Sequence, residues 1–181
     1  TAEPIPPDWT RRGRTAAVRV QICSMHLTSQ LDFAAPPAAV AAMLTDQEFL
    51  EQVCVASHAT EHSVQVNGSS TTSSRTLPAP AAAAKFTGPT ITIVEETAWG
   101  EPAADGGRRG ELHLQVPGLP VEMTGTAILR AGGKGTTVAY EADLNVNIPF
   151  VGKKLEQSAA PAVLSGIALQ QRVGDQWLAE R

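Results

Sequence analysis

Four histidines, one tyrosine, two cysteines and an adjacent pair of glutamates carry most of the reactive chemistry that this chain could muster. His58 and His62, in "SHATEHSV", have the spacing at which two imidazoles share one ion when both lie on one helical face. Their surroundings separate them. His58 falls at the end of a helical pattern and His62 inside an alternating one. Extended, the two would stand ~13 Å apart, and no third ligand is near in sequence. Neither a metal nor any other cofactor is expected. His113 lies between Leu112 and Leu114 and faces away from them, which marks a rim or exposed position. Serine and threonine crowd "SSTTSSRT" without a nucleophile elbow. The glycines of "ADGGRRG" and "AGGKG" separate strand from strand, so they read as hairpin turns rather than phosphate loops.

Glu95 and Glu96 are neighbours in "TITIVEETAW", so one points to each face of its strand. If Glu95 shares the face of Ile91, Ile93 and Trp99, a carboxylate is turned toward the interior, where desolvation would raise its pKa. The other register turns Thr92, Val94, Glu96 and Ala98 inward, and the plainer reading leaves both carboxylates near the solvated end of the strand. Tyr140 is the single tyrosine. It lies on the apolar face of the longest strand pattern, where a phenol needs a partner; it either orients the polar end of a ligand or bonds to backbone. No residue is assigned a catalytic role.

Composition narrows the classes. The 181 residues carry a net charge of −4, and a nucleic-acid binder would show a basic face. The one basic cluster is "RRGR" (Arg11, Arg12, Arg14) with Arg19, in an N-terminal segment that reads as a solvated tail. Residues 1–24, opening "TAEPIPPDWTRRGR", are rich in proline and charge and are expected to be irregular, with the domain beginning at Met25; the other reading makes "AAVRVQIC" a further strand. Cys23 and Cys54 make no disulfide framework, and Cys54 in "EFLEQVCVAS" reads as a small buried hydrophobe. No apolar run approaches the ~18 residues of a membrane span, and "RTAAVRVQIC" lacks the compact core of a secretory signal. A soluble cytoplasmic protein is expected, with no stable membrane insertion.

The elements that would position these residues follow from periodicity. "HLTSQLDF" alternates Leu27, Ser29, Leu31, Phe33 against polar neighbours, as a half-buried strand does. "PPAAVAAML" reads as a short helix. In "TDQE" Thr45 and Glu48 form a capping-box pattern, opening a second helix with Phe49, Leu50, Val53 and Cys54 on one face. "TEHSVQV", "STTSSRTL", "TITIVEETAW", "ELHLQV" and "VEMTGTAILR" then read as successive strands. "PAPAAAAKFTGP" is a loop with room for one helical turn, and "GEPAADGGRRG", "PGLP" and "AGGKG" are turns. The last strand, Thr137 to Pro149, sets Val138, Tyr140, Ala142, Leu144, Val146 and Ile148 on one face. Its thirteen residues would span roughly 43 Å.

Gly152 to Ala179 is helical in pattern, and 28 residues span about 42 Å, so this helix can cover that strand along its whole length. Its inward stripe reads Leu155, Ala159, Ala162/Val163, Gly166/Ile167, Val173, Trp177, with a kink expected at Pro161. The class is α+β: a curved antiparallel sheet of about seven strands wrapped round a long C-terminal helix, with two short helices after the first strand. Small residues on the stripe either bring helix and sheet together or leave a hollow. With eight aromatics in the chain to plug a gap, the hollow is favoured, and pockets for small molecules measure roughly 300–1,000 Å³.

This order resembles the helix-grip fold of the SRPBCC superfamily, which includes START lipid-transfer domains, pollen-allergen-like proteins and polyketide cyclases. "WGEPAADGGRRGELHLQVPGLPVEMTGTAILR", "NIPFVGKKLE" and "QQRVGDQWL" are similar to its uncharacterised bacterial branch, the domain-of-unknown-function 2505 family, from about His26 to Leu178. The resemblance implies a cavity between sheet and helix for a lipid, isoprenoid or polyketide-like molecule. On the strands it would be lined by Trp99, Glu95, Leu114, Met123, Tyr140 and Leu144; on the helix, by Ala159, Ala162, Val163, Gly166 and Ile167. The segment Pro78–Pro89 and the helix after Thr45 would be its gates. A cyclase- or isomerase-like enzyme using a cavity carboxylate or Tyr140, and a protein-interaction module with a filled core, are the alternatives.

Overall fold

The computed structural model describes residues 24–81 and 83–181; the expected N-terminal extension and the strand over "AAVRVQIC" fall on residues outside that range. Strand β1 (Met25–Phe33) leads into helices α1 (Pro37–Leu44) and α2 (Gln47–Ala56). Then come β2 (Glu61–Asn67), β3 (Ser70–Pro78), the single turn α3 (Ala84–Thr87), β4 (Thr90–Trp99), β5 (Arg108–Gln115), β6 (Val121–Gly132), β7 (Gly135–Val146) and α4 (Gly152–Ala179). The seven strands form one sheet in the order β1-β7-β6-β5-β4-β3-β2. Every neighbouring pair is antiparallel. From β2 to β7 the sheet is a meander; β1 joins it beside β7, so the first strand meets the last.

Alternation sets which face is wet. Val138, Tyr140, Ala142, Leu144 and Val146 of β7 are buried, while Glu141 and Asp143 between them are exposed. Helix α4 packs on the inner face against β1 and β7, and α2 packs on α4 and β2. The interior divides into two apolar clusters. The larger gathers Phe33, Val40, Met43, Phe49, Leu129, Val138, Val173 and Trp177 under α1, α2 and the C-terminal half of α4. The smaller, Leu27, Met123, Ala142, Leu144 and Ala160, lies under the N-terminal half of α4.

Several boundaries differ from the sequence expectation, each for a local reason. Asp46, not Thr45, caps α2: its carboxylate accepts from the amides of Glu48 (2.9 Å) and Phe49 (3.3 Å). Thr45 instead closes α1, its hydroxyl donating to the Ala41 carbonyl at 2.9 Å. β7 stops at Val146, three residues short of Pro149. The Asn147 amide turns to Pro120 O and that of Ile148 folds back to Val146 O, both at 2.9 Å. Arg108–Gly110, read as turn, begins β5; Gly110 lies against the Trp99 ring, 3.0 Å from where a Cβ would stand. "AGGKG" shrinks to a two-residue turn at Gly133 and Lys134 between longer strands.

Candidate functional site

Helix α4 is fastened at both ends and thinly seated between. At its start Gly152 is buried, and a Cβ there would collide with the Val146 carbonyl. One turn on, the Glu156 carboxylate, 4 % exposed, accepts the Val146 amide at 2.9 Å. At the other end Gln171 brackets the Asp32 backbone, accepting its N–H at 2.9 Å and donating to its carbonyl at 2.6 Å. Gly174 lies against Phe33, and Trp177 meets the Phe49 ring edge-on at 5.7 Å with the Arg181 guanidinium over its face. From Gln157 to Gln170 only Ala160 is buried. Pro161 falls in that stretch, where it removes the amide that would bond to the Gln157 carbonyl.

Along this middle stretch the apolar side chains of helix and sheet are only half covered. Ile91 and Ile93 of β4, Leu112 and Leu114 of β5, and Val163 and Ile167 of α4 are all half-buried apolar side chains. Gly166 faces open space, with no atom within 4 Å of a Cβ placed on it. Against the larger cluster a chamber is lined by Glu95, Thr97, Trp99, Leu112, Tyr140 and Gln170, with Thr71 and Ser73 of β3 and Leu44 and Leu50 from the helices. Its volume is about 30 Å³, room for only a water or two.

The register decides the question of the paired glutamates. Glu95 lies opposite Leu114 and Trp99 opposite Gly110, on the inner face, while Glu96 pairs with His113 on the outer one. Glu95 is bound to Arg75 of β3 at 2.9 Å; their side chains are 35 % and 17 % exposed, so the pair is partly shielded from water. The Tyr140 hydroxyl faces the Gln170 side-chain oxygen at 3.5 Å, a long hydrogen bond. Burial, and secondarily the Glu95 charge, push its pKa far above the ordinary 10. Tyr140 therefore keeps its proton and can serve as a donor. Burial also pushes the Cys54 thiol up, against the opposing charge of Arg75.

Of the residues proposed from sequence, Glu95, Trp99 and Tyr140 meet at the chamber. Met123 and Leu144 are buried in the smaller cluster, and Leu114, Ala159 and Val163 pack on it half-buried. Ile167 packs on the larger cluster. Ala162 is exposed on α4, because the inward face in this half centres on Glu156 and Ala160, with Ala159 and Val163 beside them. Arg75, Thr71, Ser73, Thr97 and Gln170 carry no signal of their own in the sequence. Strand pairing identifies Arg75 and Ser73 once Glu95 is placed inward, and Gln170 follows Gly166 by four positions on the same helical face. His58 adopts a left-handed backbone (φ 60°) just past α2, and His62 lies within β2. His113 bonds to Glu122 at 3.0 Å.

A family model described as "Protein of unknown function (DUF2505)" matches residues 28–178. The chain belongs to the DUF2505 family. A curated relative, the uncharacterized protein Rv0481c of Mycobacterium tuberculosis (strain ATCC 25618 / H37Rv), is 27% identical over 92 residues, 49% of this chain and 51% of that one. The chain thus spans about half the length of the curated relatives it matches. Among solved structures, TTHA0849 from Thermus thermophilus has a TM-score of 0.57 at 21% identity, covering 82% of this chain and 97% of its own. A STAR-related lipid transfer protein from Xanthomonas axonopodis has a TM-score of 0.54 at 16% identity, covering 82% and 85%. At these identities the likeness establishes the START-like fold of a DUF2505 domain.

Proposed function

We propose that this DUF2505 protein binds an apolar small molecule, of lipid, isoprenoid or polyketide-like character, in the cleft between the middle of α4 and strands β4 and β5. One observation carries this reading: the helix is fastened at both ends, while its central turns leave apolar side chains of helix and sheet half-covered above a partly polar chamber. Apolar walls that converge on a few polar groups are the usual form of a small-molecule site. Buried apolar surface would supply the affinity, at roughly 25 cal/mol per Å² before the costs of association. Tyr140, held protonated, would donate to a polar end of the ligand, with Gln170 and the Arg75–Glu95 pair beside it. The lipid-transfer function named for the Xanthomonas structure points the same way.

A ligand of more than a few atoms needs a wider space than the chamber's 30 Å³. The central turns of α4 and the α3 segment, whose one turn contains no buried residue, are the parts that can move apart. The same small volume supports the second reading, a filled-core interaction module. Native mass spectra recorded before and after solvent extraction separate the two. An extra mass released by solvent, and uptake of an offered fatty acid or polyketide by the stripped protein, are expected. Gly166→Leu should fold, since a Cβ there meets no atom within 4 Å, and should lose uptake, because its side chain would occupy the proposed cleft. A bare protein that rejects every offered ligand refutes the carrier and leaves the interaction module.

A further inference from the structure

Four large apolar side chains among the described residues are exposed: Val55, Phe86, Phe150 and Leu164. Three of them cluster topologically. Val55 is in the last turn of α2, ahead of β2, Phe86 is in α3 between β3 and β4, and Phe150 is in the turn from β7 to α4. The registers Pro78↔Thr90, Gln115↔Glu122 and Val121↔Val146 put the α3 segment, the β5–β6 turn and the β7–α4 turn at one end of the sheet. Two of these connections are tied together, the Asn147 amide bonding to Pro120 O at 2.9 Å. Phe150 is the extreme case. Its side chain is fully exposed, on a backbone with φ 65° that bulky residues seldom adopt. The fold holds a phenyl ring out in water on a strained backbone, as functional sites tend to do.

The charges beside these rings are mainly basic. Lys85 precedes Phe86, and Lys153 and Lys154 open α4 immediately after the Phe150 turn; all three are exposed. Among the described residues none of the three is in an ion pair. Glu122 and Glu61 also lie at this end, but Glu122 is bonded to His113 on the outer face. Aromatic side chains flanked by lysines match an anionic bilayer, where the rings enter the interface and the ammonium groups meet headgroups. We propose that this end of the sheet docks on an anionic lipid surface, with Phe150 and Phe86 inserted and Lys85, Lys153 and Lys154 on the headgroups. The docking goes beyond the cleft reading and does not depend on it.

Co-sedimentation of the full chain with phosphatidylcholine vesicles, with and without about a third of phosphatidylserine, tests this. Binding is expected with the anionic vesicles and should weaken at high salt. The double change Lys153→Ala/Lys154→Ala should weaken it roughly thirtyfold, from two lysines near the surface. Phe150→Ala should weaken it at least tenfold, by the loss of one inserted ring. Phe150→Gly should lose binding as Phe150→Ala does while melting no lower than the wild type, since glycine relieves the positive φ. Arg108→Ala/Arg109→Ala, at the opposite end of the sheet, should bind as the wild type does. No vesicle binding by the wild type, equal binding to neutral vesicles, insensitivity to Phe150→Ala, or a larger loss from the arginine pair would each overturn the proposal. So would self-association abolished by Phe150→Ala in the absence of vesicle binding, which would make a second copy the partner.

Discussion

Gly166 and Gly174 lie on the same helix, and the same change, glycine to alanine, should act on them with opposite signs. In a helix interior alanine is favoured over glycine by about 1 kcal/mol, because glycine loses more backbone freedom on folding. At Gly166 nothing opposes that gain, since a Cβ meets no atom within 4 Å. For a domain of this size 1 kcal/mol raises Tm by about 2–4 °C. At Gly174 the Cβ would stand 2.6 Å from Cε1 of Phe33 and 3.1 Å from the Met43 methyl. The methyl can swing aside, but Phe33 is wholly buried and its ring has nowhere to go. Overpacking of this kind costs about 1–3 kcal/mol, so the net effect is destabilising by up to about 2 kcal/mol. Thermal and urea unfolding of the two single variants, with the slope of the urea transition unchanged, read the difference directly. If Gly166→Ala lowers Tm, the cleft under the middle of α4 is not open, and the binding site proposed for it goes with it. If Gly174→Ala raises Tm equally, the C-terminal half of the helix is not seated as described.

Glu156→Ala should cost about 1–3 kcal/mol, because it strands the Val146 amide in a buried position; Glu156→Gln keeps an acceptor and should cost less, as urea midpoints will show. Removing one member of the partly shielded Arg75–Glu95 pair should cost about 1–2 kcal/mol, between the exposed and buried limits. Arg75→Leu/Glu95→Leu together should recover most of it, and a double-mutant cycle that finds no coupling refutes the contact. Tyr140 supplies a pH dependence. Its pKa is raised in the fold, so its contribution is intact below the unfolded value near 10 and is lost as pH rises toward the folded value. Across that window the wild type should lose about 1.4 kcal/mol per pH unit relative to Tyr140→Phe. Since the chain has one tyrosine, phenolate absorbance should appear together with unfolding, and ionisation at pH 10 in the folded protein would contradict its burial.

How far the residues spoke for themselves varies along the chain. The bounds of α4 could be read because 28 residues of helical pattern run from Gly152 to Ala179 with one interruption. The β2–β3, β5–β6 and β6–β7 pairings follow from short turns, since consecutive strands joined by a few residues pair as hairpins; the place of β1 beside β7 has no such local signal. Which face of α4 points inward was harder. A purely apolar stripe selects Leu155 in the first turn, whereas the helix buries Glu156 there because one amide at the end of β7 needs an acceptor. Period alone cannot see that need. Glu95 was ambiguous for a related reason: alternation allows either register, and the choice rests on Trp99 lying over Gly110 of the neighbouring strand. Thr71, Ser73 and Thr97 went unnoticed because polar residues on a strand ordinarily signal its wet face, and here they line a chamber. The size of that chamber depends on how closely helix and sheet approach, which small side chains permit in either direction.

The thin furnishing of the middle of α4 has an energetic consequence for how the cleft could admit a guest. Gly152 and Glu156 fasten one end of the helix, and Gln171, Gly174 and Trp177 the other. The turns around Pro161 rest on the smaller cluster through Ala159, Ala160 and Val163, while Ile167 and Leu169 beyond them stay seated on the larger one. Lifting two alanines and a half-buried valine forfeits about 2–3 kcal/mol of apolar burial, and no backbone hydrogen bond is lost at Pro161, where none exists. A ligand that buries about 200 Å² of apolar surface beneath the lifted segment returns about 5 kcal/mol on the same scale. The margin is small but favourable, and it would vanish if the helix were seated in its middle as it is at its ends. Replacing Ala159 and Val163 by larger apolar residues should therefore raise Tm and weaken uptake together. A stabilised variant that still takes up ligand at the wild-type rate would show that entry does not pass beneath the middle of α4.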